Sequence, residues 1–285
     1  MNTYNVVPGR RHALKLFTVN NTLILINVFV FIVLSIVIAS RPDFIDYIGI
    51  NPSNILHGKY FWTFLTSMFM HEPFPNITHI LFNMISLFFV GTLLERIIGP
   101  RRYLMIYLVS GLFAGLVFVL LSGFFGTSFI GAKLFGSPDM YGIGASGAIF
   151  GVLGVLAVLT PRNKINLLAG PLIAIILDYF FTTVFPNAAF TNVLNIILTI
   201  YIFASIFTIF SFDPKIMKVS IPLTLPFWLL PVVAIVPLVI IGLFISLPIG
   251  NSAHLGGLIA GVAYGFFLRY RFPRKTKVIS QIFSR

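Results

Sequence analysis

The chain has 285 residues, of which 58% are hydrophobic and 9% charged, with no cysteine. Soluble domains carry roughly 25% charged residues, so an ordinary soluble protein is excluded; without cysteine there is no disulfide framework, thiolate nucleophile or Cys-based metal site. The formal charge of +12 would suit nucleic acid, but the basic residues sit in short connections between apolar runs, where they set membrane orientation. The lipid bilayer is therefore the expected partner, and no nucleic acid is.

Apolar runs of about 20 residues recur along the chain and mark a polytopic membrane protein. The first, 22–39, follows Arg10, Arg11 and Lys15. It lacks a small-residue cleavage site, so it reads as a retained helix and not a signal peptide. The segment 40–76 carries Phe61, Trp62, Phe64, Phe69 and Phe74 among polar residues. That suits a stretch lying at the membrane interface and an ordinary interfacial loop equally well. Further runs follow at 77–95, 103–124, 144–160, 165–186 and 191–211. The run 222–247 holds Pro222, Pro226, Pro231 and Pro237, with Pro248 just beyond. These prolines predict a kink or a split, because each removes a backbone donor. The last run is 252–269. The expectation is an all-α membrane helical bundle with about eight spans. Residues 1–21 form an N-terminal tail, 22–270 one membrane domain, and 271–285 a basic C-terminal tail.

A cytoplasmic N-terminus puts sixteen Lys and Arg residues inside. They fall at 10–15, 96–102, 162–164, 215–218 and 269–285; only Arg41, Lys59 and Lys133 fall outside. This bias predicts a multi-pass protein of the cell membrane with both termini cytoplasmic. An even number of spans keeps the basic tail inside.

Strongly polar groups inside spans are costly and are functional candidates by default. His79 and Asn83 are spaced i, i+4 and share a helix face. They sit near the outer end of the second span. Ser146 sits near the outer end of the fourth, and His254 near that of the eighth. Charge counting thus brings all four to similar depth. Gly147, Gly151 and Gly154 line the fourth span, and Gly257 and Gly261 the last. Small residues let two helix backbones approach closely in lipid, which predicts the Ser146 hydroxyl within reach of the His254 ring. A serine beside an imidazole is an activated nucleophile. His79, Asn83 and the Ser146 N–H are candidates to stabilise the oxyanion.

Singly, each feature has a plainer reading. Small-residue packing accounts for most Gly-Ala-Ser-Gly clusters, His254 alone suits a helix cap, and His79 with Asn83 suits an interhelical hydrogen-bond pair. Jointly they favour a hydrolytic site. His71-Glu72 lacks the second histidine of a zinc signature, and no metal or cofactor is expected. His12 and His57 read as surface residues. Asp178, in an apolar run, reads as reaching the interface more readily than as a buried functional carboxylate.

These residues fall into His79-x-x-x-Asn83-Met84, Gly91-x-x-x-Glu95-x-x-x-Gly99, Gly144-Ala145-Ser146-Gly147 and Ala253-His254-x-x-Gly257-x-x-x-Gly261. In that order, over roughly 60–270, the chain resembles the rhomboid intramembrane serine proteases. The resemblance implies a six-helix core, Ser146 as nucleophile and His254 as general base, without a third carboxylate. It implies His79 and Asn83 on the oxyanion side, and Phe150 packed on the catalytic imidazole. Substrates would be transmembrane proteins, cut in or near their spans; the oligomeric state is not implied. The sequence departs from the family in two places. Trp62 is followed by Thr63 where Arg is common, and Ser146 and His254 are about twice as far apart as a six-helix core needs. An extra helix pair within about 164–212 fits that excess. Two other readings stand beside this one: a rhomboid-like protein that binds or moves membrane proteins without cutting them, and a transporter with a histidine relay.

Overall fold

A computed structural model describes residues 18–208, 213–244 and 250–282. Arg10, Arg11, His12, Lys15, Arg285 and the run ends at 209–211 and 245–247 lie outside the described residues. Helix α1 (Val19–Ser40) is apolar on all sides and starts on a Thr18 cap, whose hydroxyl accepts the Asn21 N–H. Helix α2 (Ile77–Ile98) is interrupted by one wide turn at Leu87–Gly91. Helix α3 (Pro100–Phe125) follows after Gly99.

A polar seam joins the three. The Glu95 carboxylate accepts the Val19 and Asn20 N–H groups at 3.0 and 2.8 Å, satisfying the start of α1. The Asn20 side chain donates to the Leu87 carbonyl and the Thr92 hydroxyl, and accepts from the Tyr103 hydroxyl. Gly91 is part of this seam: a β-carbon there would collide with Asn20 Oδ1 and the Tyr103 hydroxyl.

Helix α4 (Ser146–Leu159) is central, with nearly every side chain buried. Strand β1 (Lys164–Leu168) then leads into helices α5 (Ala169–Val184) and α6 (Ala189–Thr208), and strand β2 (Pro222–Pro226) returns. The strands pair antiparallel, Lys164 opposite Pro226 and Leu168 opposite Pro222. Thr224 Oγ1 donates to Asn166 Oδ1 across the ribbon at 2.8 Å. The prolines fit because both strands of a two-stranded ribbon are edges, where a missing N–H can face outward. Helices α5 and α6 pack through Ala174, Leu198, Ile202 and Ile206 against Leu81, Phe82 and Ile85 of α2.

Helix α7 (Leu230–Phe244) contains Pro237. Helix α8 (Asn251–Arg271) packs most extensively on α4 and then on α3. A last helix, α9, spans Pro273–Ile282.

The expected helical bundle is present, with two local differences. The runs 165–186 and 222–247 begin as strands, so their helices start at Ala169 and Leu230. The proline-rich run is split, as its composition predicts. By length and composition, α1, α2, α3 and α6 are long and apolar enough to cross a membrane, while α4, α5 and α7 are shorter apolar helices.

Candidate active site

Ser146 is the first residue of α4, and His254 lies in the first turn of α8. Ser146 Oγ stands 2.8 Å from His254 Nε2. Two backbone contacts set this distance. A β-carbon on Gly257 would run into the Gly147 carbonyl, and one on Gly261 into the Gly151 carbonyl. Only glycine allows α4 and α8 to lie this close. The Phe150 ring, one turn below Ser146, stacks on the His254 ring with centroids 4.4 Å apart and planes 18° from parallel.

His79 and Asn83 come to the same place from α2. A β-carbon at Gly144 would stand 2.7 Å from His79 Nε2 and 3.7 Å from Asn83 Nδ2. Both donors therefore converge on the turn just before Ser146. Gly144 has φ +111°, a conformation that L side chains rarely adopt. Asn83 Nδ2 also donates to the His79 carbonyl at 2.9 Å, which anchors the amide to its own helix. All of the expected site residues, Ser146, His254, His79, Asn83, Phe150, Gly144, Gly147, Gly257 and Gly261, thus fall in one region. Ser146, His79 and His254 are half-buried, neither sealed nor fully exposed.

The sequence reading missed two contributors. The first is the outer segment 40–76, which braces the turn that carries Ser146. Ile50 and Gly142 exchange backbone hydrogen bonds at 3.1 and 2.7 Å, and the Gly144 N–H donates to the Ser67 carbonyl at 2.9 Å. Asn51 Nδ2 donates to the Asp139 carbonyl on the same loop. The segment also exposes Phe61, Trp62 and Phe74, as an interfacial stretch would. Its spacing of prolines and aromatics suits an interfacial stretch or an ordinary loop alike and gives no sign of these distant pairings. The second is His71, which is 1% exposed and meets the His79 ring edge to face, centroids 5.2 Å apart. Burial and the neighbouring His79 push the His71 pKa down to about 3, against a weaker opposing pull from the Phe69 backbone. An ionisable residue close before an apolar run was the available signal.

His57 is exposed, as expected. Asp178 is half-buried, and in the amide orientation that satisfies both ends of Asn195 it accepts from Asn195 at 3.0 Å. It therefore ties α5 to α6.

The Rhomboid domain family model matches residues 58–198 and 197–271. The chain belongs to the rhomboid family and is a multi-pass membrane protein. It is 29% identical over 171 residues to the rhomboid protease AarA of Providencia stuartii, covering 58% of this chain and 59% of that protein. It is 31% identical over 116 residues to the rhomboid protease GluP of Bacillus subtilis, covering 41% of this chain and 19% of that one. It is 26% identical over 210 residues to RHOMBOID-like protein 5 of Arabidopsis thaliana, covering 74% of this chain and 45% of that one. The match thus spans just over half of AarA and less than half of the other two. AarA and GluP are named as rhomboid proteases.

Proposed function

We propose that this protein is an intramembrane serine endopeptidase that cleaves transmembrane proteins in or near their spans with a Ser146–His254 dyad. The observation that carries this reading is the 2.8 Å approach of Ser146 Oγ to His254 Nε2, with Phe150 stacked behind the imidazole. His254 Nε2 accepts the Ser146 proton as Oγ attacks the scissile carbonyl carbon, so the neutral ring carries its own proton on Nδ1. The carbonyl electrons move to oxygen, which faces the His79 Nε2–H, the Asn83 amide and the Ser146 N–H at the start of α4. Helix N-termini favour negative charge there. Collapse of this intermediate expels the amine, which takes the proton from His254. Water, activated by the same ring, then attacks the acyl-enzyme carbonyl and releases the acid, returning the proton to Ser146.

Helix α4 has 14 residues and is about 21 Å long, shorter than a hydrocarbon core of about 30 Å. With its inner end at the membrane surface, Ser146 lies below the outer one. In this reading the chain makes about eight spans in the cell membrane, both termini are cytoplasmic, and α5–α6 is an inserted pair. A substrate helix hides its carbonyls in hydrogen bonds, so it must unwind to reach Ser146. Substrates therefore carry Gly, Pro or other poor helix formers near the cut and a small residue just before it.

The test uses the full chain in liposomes with a transmembrane peptide carrying Gly-Ala and Pro in its outer third. The parent cuts it, and Ser146→Ala and His254→Ala do not. Replacing the helix breakers by Leu protects the peptide. Cleavage that survives Ser146→Ala, or no dependence on helix breakers, contradicts the reading.

A further inference from the structure

His71 is an ionisable group beside the site that the dyad does not use. Its burial is nearly complete, and among the described residues neither ring nitrogen has a hydrogen-bond partner at good distance and angle, the Phe69 backbone offering only a weak one. Buried polar groups are ordinarily paired, and a phenylalanine would fill similar volume without leaving nitrogens bare. Packing alone therefore does not account for an imidazole here. Its neighbour is the His79 ring. His79 Nδ1 is buried and lacks a partner among the described residues as well, while His79 Nε2 faces the Gly144 turn.

A histidine that donates from Nε2 must carry its proton there, leaving Nδ1 as an acceptor. Which nitrogen holds the proton is set by what the other one bonds. Two imidazoles joined nitrogen to nitrogen at about 2.9 Å have centroids roughly 5 Å apart. The observed 5.2 Å is close to this, so a modest ring rotation closes the bond.

We propose that His71 is a positioning residue for His79: its ring N–H donates to His79 Nδ1 and holds His79 as the Nε2–H tautomer, aimed at the developing oxyanion. This rests on the reading of His79 as an oxyanion donor. His71 itself stays neutral near pH 7, because burial disfavours its charged form. The neutral ring has a single N–H, for which the Phe69 backbone and His79 Nδ1 compete, and here it goes to His79; the ring brings no positive charge to disturb its neighbours.

Two measurements test this on the detergent-solubilised full chain, using a fluorophosphonate that reacts with Ser146. First, nitrogen-15 NMR of labelled histidines in the phosphonylated protein reads the His79 tautomer, its signal assigned by its loss in His79→Phe. The expected result is Nε2–H with an accepting Nδ1; an Nδ1–H tautomer overturns the proposal. Second, the phosphonylation rate is compared in a double-mutant cycle. His71→Phe slows the reaction about ten-fold when His79 is present and less than about two-fold in the His79→Phe background. Equal slowing in both backgrounds is the mark of a purely structural role and overturns the proposal. If His71→Phe does not fold, the tautomer in the parent decides. If Ser146 itself is unreactive, the dyad reading falls and this inference falls with it. If Ser146 reacts but tautomer or coupling is wrong, only this inference falls.

Discussion

The Gly151 carbonyl occupies the place that a β-carbon on Gly261 would need. This single exclusion links a glycine pattern in the last helix to the position of a histidine two turns away. Because α4 and α8 touch backbone to backbone, any side chain at 257 or 261 must push the helices apart. A displacement of about 1 Å at a reacting group can lower a rate about 10²-fold. Gly261→Val is thus expected to lower the thermal midpoint in detergent and to reduce activity at least 10²-fold. Gly265→Ala is expected to be milder, because a β-carbon there meets the Val158 side chain and not backbone. Thermal scans and cleavage rates on the two variants check this order.

The Phe150 ring holds the His254 ring in the plane that presents Nε2 to Ser146. An aromatic pair of this kind contributes about 0.5–1.5 kcal/mol beyond burial. Phe150→Ala should therefore lower kcat roughly three- to ten-fold while KM changes little, and Phe150→Tyr should keep most of the rate. Steady-state kinetics on both variants give the answer.

Gly144 combines a left-handed backbone with the close approach of His79. Gly144→Ala strains the turn and pushes the His79 ring aside. Loss of one oxyanion donor typically lowers kcat about 10²–10³-fold, and that is the loss expected here. The thermal midpoint should fall less than for Gly261→Val, since Gly144 is half-buried whereas Gly261 is buried between two helix backbones. Comparison of kcat and midpoint separates the two effects.

Glu95 supports the fold away from the site. Glu95→Ala leaves the Val19 and Asn20 N–H groups without their acceptor, and each unmet buried group costs about 1–3 kcal/mol. The midpoint should drop, while the folded fraction should react with a serine probe at the parent rate.

His71 gives the protein a pH-dependent stability. Its folded pKa, about 3, lies below the unfolded value of about 6.5, so the unfolded chain binds the proton more readily between these limits. The contribution is complete above pH 6.5 and is lost progressively as the pH falls toward 3. The titratable ring that faces it is His79. Unfolding midpoints measured from pH 7 to 4.5 should fall less steeply in His71→Leu than in the parent. Parallel curves would contradict this.

The parts of this architecture that were legible in the sequence share a local signature. His79 and Asn83 announce themselves by i, i+4 spacing, and Ser146 and His254 by polarity inside glycine-bearing apolar runs. The β-ribbon was not legible. Lys164–Leu168 and Leu223–Leu225 are apolar enough to read as helix, and they find each other only after α5 and α6 are placed between them. The brace from Ile50 to Gly142 and from Ser67 to Gly144 was hidden for the same reason: backbone pairing leaves no side-chain pattern. His71 carries no such local signature, since no second histidine follows it at zinc-ligand spacing. What identifies it is its packing against His79, a tertiary contact.

The proposed cleavage depends on activation of the Ser146 hydroxyl by His254. That activation is tested most directly by treating the purified protein with a fluorophosphonate and mapping the adduct by mass spectrometry, beside Ser146→Ala and His254→Ala. In the expected reaction Ser146 Oγ displaces fluoride from phosphorus and its proton passes to His254. The parent should carry one adduct, on Ser146, and both variants none. An adduct that persists in Ser146→Ala would place the nucleophile elsewhere and contradict the account.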